Sequence, residues 1–108
     1  MRPWAVLAMV LFVPLSALAE TFTGYVSDSR CGVKRAALTP ADLKDMQECI
    51  KAGAVPVLVV GENVMPIVYT SVERVLPFLG QKVTVAGTLE SGGRGPKLLV
   101  VEKIEKAK

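Results

Sequence analysis

Two cysteines, Cys31 and Cys49, are the side chains of this 108-residue sequence with the widest choice of chemistry. A cysteine pair can form a structural disulfide, bind a metal as thiolates or act as a redox couple. Dithiol catalysts place their cysteines in a Cys-x-x-Cys motif at the start of a helix, whereas a much longer segment separates these two. We therefore favour an intramolecular disulfide, and keep a metal site and free or redox-active thiols as alternatives.

The remaining residue types exclude most catalytic chemistry. The sequence contains no histidine, which removes histidine-activated nucleophiles, histidine acid catalysis and histidine zinc sites. Three acidic residues follow one another at three-residue steps along a predicted helix, where such residues usually form a solvated face: Asp42, Asp45 and Glu48. The sequence thus favours a protein that is not an enzyme, and it predicts no cofactor.

The first 19 residues have the pattern of a secretory signal peptide. Arg2 provides a positive start, an apolar run extends from Trp4 to Leu15, and Ala17-Leu18-Ala19 is a small-x-small cleavage site. A membrane anchor needs about 18 to 20 apolar residues, and this run is shorter and contains Pro14. The pattern therefore predicts cleavage after Ala19.

Export changes what the rest of the sequence means. Removing 19 of the 108 residues, one of them an arginine, leaves 89 residues and lowers the formal net charge from +3 to +2. We expect a single domain over residues 20–108, located in the periplasm or outside the cell, with no membrane-spanning segment after signal removal. A domain of this size has a marginal core, and a disulfide between Cys31 and Cys49 would stabilise it by about 3 kcal/mol.

Hydrophobic periodicity predicts five strands and two helices. The first helix is marked by Thr39 as N-cap, by Pro40 at the first helical position and by Gly53 after its end. The second follows a capping-box pattern of Thr70 and Glu73. The predicted strands are Thr21–Asp28, Val55–Val60, Val64–Tyr69, Lys82–Leu89 and Lys97–Glu105, with the first helix over Pro40–Ala52.

This element order predicts a mainly β fold. Five strands with one short helix between the third and fourth is the order of the OB-fold, a five-stranded Greek-key barrel. The helix that begins at Pro40 is then an extra element in the first inter-strand connection. A flat sheet with helices on one face is the alternative.

The predicted barrel suggests a binding surface. In such a barrel the first and last inter-strand connections flank the ligand-binding face, and here both carry cations. The candidate ligand-binding residues are Arg30, Lys34, Arg35, Arg94 and Lys97, with Tyr25 or Tyr69 as a stacking surface. We expect an exported, non-enzymatic binding or interaction module that docks an anionic ligand or another exported protein. Solvated charges that only keep the domain soluble are the plainer interpretation.

A second candidate function uses the thiols. Cys31 and Cys49, with Asp28 or Asp45 nearby in sequence, would form a metal-binding or thiol-redox site. Metal binding requires reduced cysteines, whereas the binding module is compatible with a disulfide.

Three segments resemble a family of small exported bacterial domains of unknown function with an OB-like fold. They are Phe22-Thr23-Gly24-Tyr25-Val26-Ser27-Asp28-Ser29-Arg30-Cys31-Gly32, Cys49 ahead of Gly53 and the valine-rich hairpin, and Lys82-Val83-Thr84-Val85-Ala86-Gly87-Thr88-Leu89. Similar domains often carry Cys-Gly-x-x-His and a further cysteine, but this chain has Arg35 and Asp45 at those two positions. A metal site of such relatives therefore cannot be carried over, and the resemblance implies fold and export more than function.

The disulfide and the signal peptide can be tested together on the protein exported from cells that express the full chain. We expect a mass that corresponds to residues 20–108 and no thiol that reacts with a chromogenic disulfide reagent before reduction, because export favours oxidation of an even cysteine pair. Two reactive thiols together with a bound metal would instead support the metal or thiol-redox function.

Overall fold

The computed structural model describes residues 19–30, 39–91 and 93–108. In this part of the chain the protein is mainly β, with a five-stranded antiparallel sheet and two helices. The strands are β1 (Glu20–Asp28), β2 (Pro56–Val60), β3 (Asn63–Pro66), β4 (Lys82–Glu90) and β5 (Leu98–Lys106). The helices are α1 (Pro40–Lys51) and the short α2 (Val72–Val75), which is flanked by the 3-10 turns Tyr69–Ser71 and Leu76–Phe78.

The first strand lies at the centre of the sheet, whose order is β3-β2-β1-β4-β5. The first part of β1 pairs with β4, from Glu20 opposite Gly87 to Tyr25 opposite Lys82. Its second part pairs with β2, and Tyr25 belongs to both ladders because it also lies opposite Val59. One strand therefore joins the two halves of the sheet.

Gly24 allows the strands to approach at this junction. A Cβ atom at this position would clash with the backbone carbonyl of Val59 on β2. Only glycine leaves the room that this approach needs. The ladder between β1 and β4 continues through Gly24, which lies opposite Val83, so the glycine marks close strand approach.

The core lies on one face of this sheet. Its buried members come from all the longer strands and both helical segments: Val26, Met46, Leu58, Val75, Leu79, Val83, Val85, Leu99 and Val101. Alternation along the strands produces this set, since Val83 and Val85 are buried while Thr84 between them is only half-buried. The apolar residues that the sequence periodicity selects thus meet on a single face.

Helix α1 begins and ends close to the predicted positions, because its capping signals are satisfied. The Thr39 side chain accepts a hydrogen bond from Asp42 N (3.2 Å), and the Asp42 carboxylate accepts one from Thr39 N (3.1 Å), which completes a capping box. Met46 is fully buried in the core, with Leu43 and Ile50 packed against it. The helix therefore attaches to the core through one narrow apolar stripe.

The prediction of a closed barrel is wrong. In the described part of the chain the sheet stays open between its two edge strands, β3 and β5. Strand β3 is shorter than predicted and ends at Pro66, whose missing N–H cannot extend a ladder. Beyond it, a single bridge joins Ile67 to Leu99 in parallel orientation. The 3-10 turn that begins at Tyr69 then carries the chain away from a strand conformation.

Hydrogen bonds from one backbone group and two side chains cover part of the β5 edge where strand pairing is missing. Val68 N donates to Leu99 O (2.9 Å), and Val101 N donates to Ser71 Oγ (3.0 Å). The Arg74 guanidinium donates to the carbonyl oxygens of Val101 (2.8 Å) and Glu102 (3.2 Å). We call these bonds from Val68, Ser71 and Arg74 the β5 clasp.

The clasp involves one residue within a predicted capping box and one residue of a β-bulge. The predicted capping box at Thr70 does not form, since α2 starts after Ser71 and that residue makes no side-chain cap; its hydroxyl is bonded to Val101 instead. A register shift at Ala86 and Gly87 leaves Glu102 as the extra residue of a β-bulge on β5. Arg74 bonds to this residue's carbonyl oxygen.

Replacing Gly24 by alanine tests the close approach of β1 and β2. We expect Gly24→Ala to lower the free energy of unfolding by about 2 kcal/mol, because the new Cβ must displace backbone atoms of Val59. Urea denaturation measures this loss. The matched control is Gly95→Ala, where a Cβ meets no atom within 4 Å, and an equal effect of both substitutions would contradict the packing argument.

Replacing Ser71 by alanine tests the β5 clasp. The substitution leaves the N–H of the buried Val101 without its acceptor, and an unmade hydrogen bond of this kind costs about 1–3 kcal/mol. Thermal and urea unfolding should both show this loss for Ser71→Ala and little change for Ser91→Ala at an exposed position. Indistinguishable stabilities for the two variants would show that the clasp is dispensable.

Candidate functional site

The end of β1 forms a tight turn around a buried carboxylate. Asp28 is fully buried, and its Oδ1 atom accepts a hydrogen bond from Arg30 N at 2.8 Å. Ser29 binds the segment ahead of β2 twice: Ser29 N donates to Val55 O (2.9 Å) and Val55 N donates to Ser29 Oγ (3.1 Å). The Asp-Ser pair of the sequence motif therefore fixes the backbone where the first connection begins.

Two of the predicted ligand-binding residues, Arg30 and Tyr25, lie near this turn. Arg30 is exposed directly after it, and Tyr25 is half-buried in the middle of the sheet. The sheet register places Tyr25 between Val59 of β2 and Lys82 of β4. Cross-strand neighbours of this kind lie on the same face of a sheet, so Lys82 is the cation that the register brings to Tyr25.

Two other predicted ligand-binding residues, Arg94 and Lys97, lie at the opposite end of β1. Arg94 and Lys97 are exposed in the connection between β4 and β5, which follows the part of β4 that pairs with Glu20. The nine residues of β1 extend over about 26 Å at roughly 3.3 Å per residue. The register thus separates Arg30 from Arg94 along the strand and does not bring them together.

The remaining predicted site residues, Cys31, Lys34 and Arg35, lie outside the described residues. Their contacts, and the predicted bond from Cys31 to Cys49, remain predictions. Cys49 is half-buried near the end of α1, and no cysteine of the described part of the chain is free. Tyr69, the alternative stacking residue, is 88% exposed on the 3-10 turn after β3.

A cleft of about 650 Å³ lies between α1 and the segment around the second 3-10 turn. We call it the α1 cleft. Its apolar walls are Leu43, Ile50, Leu76, Pro77 and Leu79, and its polar lining residues are Gln47, Lys51 and Gln81. Mostly apolar walls with a few polar groups are typical of ligand-binding pockets of this size. The cleft is therefore a candidate ligand-binding site in the described part of the protein.

Gln81 lines the α1 cleft, but its Oε1 atom is buried away from the open space of the cleft. This oxygen has no hydrogen-bond donor among the described residues. A buried acceptor without a donor costs about 1–3 kcal/mol, and nearly all such atoms in folded proteins are paired. The backbone holds this residue in place, since Gln81 O accepts from Val26 N (3.0 Å) and Gln81 N donates to Phe78 O (2.9 Å).

A second cleft, of about 450 Å³, adjoins the first. We call it the Tyr69 cleft, and its lining residues are Tyr69, Thr70, Val72, Glu73 and Leu76. Leu76 lines both clefts, so one side chain forms the wall that they share. The two clefts also differ in charge, because the α1 cleft contains Lys51 and the Tyr69 cleft contains Glu73.

The described residues were also compared with the requirements of metal and membrane sites. No group of three or more histidine, cysteine, aspartate or glutamate side chains among residues 19–30, 39–91 and 93–108 is arranged to hold a metal ion. Within the same residues, no helix has the length and apolar character needed to cross a membrane.

Comparison of the chain with protein-family models, with curated proteins and with solved structures found no match. The resemblance to small exported domains therefore stays a prediction.

The α1 cleft was not predicted from the sequence. The periodicity assigns Leu43 and Ile50 to a core-facing stripe, and both do pack against the core, but each also forms a wall of the cleft. The available signal was Pro77 followed by Gly80, which ends the second helical segment early and leaves part of the α1 surface uncovered. No periodicity indicates that Gln81 lies inside this gap.

Proposed function

We propose that this protein is an exported, non-enzymatic binding module that holds an apolar ligand in the α1 cleft. The observation that carries this proposal is the mostly apolar wall of the cleft, which is formed by Leu43, Ile50, Leu76, Pro77 and Leu79. A ligand that fills the cleft removes this apolar surface from water. Binding therefore relieves an unfavourable feature of the free protein.

The proposed fold within the mainly β class is OB-like. The strand order β3-β2-β1-β4-β5, the helical segment between β3 and β4 and the parallel bridge from Ile67 to Leu99 support it, because the OB-fold is a partly open five-stranded Greek-key barrel. Domains of this fold serve mainly as binding modules. A fold alone does not define a function, so the cleft provides the specific argument.

The proposal keeps the anionic ligand expected from the sequence but places it at a different site. Lys51 lines the α1 cleft and is exposed, which makes its ammonium group available to an anion at the rim. Arg30 and Arg94 lie at opposite ends of β1 and line neither of the two clefts. Lys51 is thus the cation that accompanies the apolar walls.

A neutral fluorescent probe, N-phenylnaphthylamine, tests whether the α1 cleft binds apolar molecules. We expect its emission to rise on addition of the purified protein, because the probe leaves water for an apolar site. Substituting the exposed lining residue by tryptophan, Gln47→Trp, should weaken binding about tenfold because the indole fills the cleft.

The matched control is Glu48→Trp, which adds the same side chain at the next, also exposed position of α1 outside the cleft lining. This variant should bind the probe like the unmodified protein. The proposal is wrong if the probe does not bind, or if both tryptophan variants weaken binding equally while circular dichroism shows that both are folded.

A further inference from the structure

We propose that two copies of this protein associate through the carboxyl-terminal half of β5 and form a two-fold symmetric dimer. This inference concerns the open edge of the sheet and does not depend on the α1 cleft. In the described part of the chain β5 is an edge strand, which forms a ladder with β4 on one side. The N–H and C=O groups on the other side of an edge strand can pair with a further strand.

The β5 clasp covers the first part of this edge and leaves its end open. The bonds of the clasp extend along β5 as far as the carbonyl oxygen of Glu102, which accepts from Arg74 (3.2 Å). Among the described residues, no hydrogen bond from the clasp or from a loop reaches β5 beyond this oxygen on the side away from β4. We call residues 103–106 the free edge of β5.

The backbone groups of Ile104 point away from β4 at the free edge. Ala107 N donates to Lys82 O (3.0 Å) directly after β5 ends, so the backbone groups of Ala107 face β4. These groups face alternate sides at successive residues of an antiparallel strand, which turns those of Glu105 toward β4 and those of Ile104 away from it. Ile104 can therefore exchange two backbone hydrogen bonds with Ile104 of a second, antiparallel copy.

The charges around Ile104 complement those of a second copy in this arrangement. Positions 102 to 106 read Glu-Lys-Ile-Glu-Lys, and the four charged side chains are exposed. With Ile104 at the two-fold axis, Lys103 of each copy lies opposite Glu105 of the other. Glu102 of each copy lies opposite Lys106 in the same way. Opposite charges directly across two strands stabilise their pairing, and like charges oppose it.

The neighbouring registers pair like charges instead. A shift by one residue turns every side chain of the second strand to the other face of the sheet. A shift by two residues places Lys103 opposite Lys103 in one direction and Glu105 opposite Glu105 in the other. Charged side chains on an edge strand usually oppose pairing with other chains, but this order of charges favours one register of one partner. Charge complementarity therefore selects a second copy of the same strand.

The free edge is short, so the dimer is weak. Stable interfaces bury about 1,200 Å² or more, which a few residues of one strand do not reach. The Ile104 side chain contributes apolar contact, since it packs against the core, is only half-buried and meets its counterpart across the two-fold axis. We expect a dissociation constant on the order of 100 µM.

Sedimentation equilibrium of the purified protein between about 10 µM and about 1 mM measures this association. We expect a monomer–dimer equilibrium that weakens at high salt, because salt screens exposed ion pairs. A monomer at every concentration, or an association that does not respond to salt, would overturn the proposal.

Exchanging two charges tests the register of the dimer. Lys103→Glu places like charges opposite each other at two positions of the dimer, so the dissociation constant should rise about tenfold or more. Adding Glu105→Lys to this variant exchanges the two charges and should restore the dimer. The matched control is Lys44→Glu, which makes the same change in net charge at an exposed position of α1 and should leave the dissociation constant nearly unchanged.

Two results of the charge exchange would contradict the proposed register. One is an equal effect of Lys103→Glu and Lys44→Glu on the dissociation constant. The other is a double variant that stays monomeric while circular dichroism shows that it is folded.

Amide hydrogen exchange followed by NMR locates the interface. The Ile104 N–H is bonded to a second strand only in the dimer, so its exchange should slow about fivefold between about 10 µM and about 1 mM protein. The Glu105 N–H points toward β4 in monomer and dimer alike and should change little. Slowing at β3, the other edge of the sheet, without slowing at Ile104 would overturn the assignment to β5.

Discussion

The backbone pairing of β1 with two strands at once is the constraint on which the rest of this structure depends. Tyr25 lies opposite Val59 of β2 and Lys82 of β4, and Gly24 leaves the space for this approach. The next residue extends the arrangement, since Val26 accepts from Gly80 N (2.8 Å) and donates to Gln81 O (3.0 Å). The strand that organises the core therefore also fixes the backbone of Gln81, which lines the α1 cleft.

The side chains of Ser71 and Arg74 form hydrogen bonds with backbone groups on the open edge of the sheet. An uncovered edge strand exposes N–H and C=O groups that can pair with another chain, and Pro66 ends β3 before it could cover β5. Ser71 and Arg74 occupy polar groups of β5 instead. Glu102 is the extra residue of the β5 bulge, and in the described part of the chain its carbonyl oxygen has no partner strand on this side of the sheet. Arg74 donates a hydrogen bond to this oxygen, so it is not available to another chain.

The sequence predicted the positions of the helices and strands better than it predicted whether the sheet closes or where the candidate site lies. Helix α1 and strands β1, β4 and β5 could be placed to within one or two residues, because Thr39, Pro40 and the strict alternation around Val83 are local signals. The end of β3 was placed too late, since β-branched residues continue past Pro66 while the chain already turns. The role of Ser71 depends on a partner about thirty positions away on β5, and no local pattern encodes such a contact.

The α1 cleft follows from the small number of contacts that α1 makes with the rest of the domain. One stripe centred on Met46 attaches the helix, and Pro77 with Gly80 shortens the segment that would otherwise pack beside it. A longer second helix would have covered Leu43 and Ile50, and an apolar residue at position 81 would have removed the desolvation cost of the amide. Both features lower the stability of a domain with a small core, and neither contributes to its packing. The proposed ligand would offset the first of these costs, because filling the gap removes the apolar walls of the cleft from water.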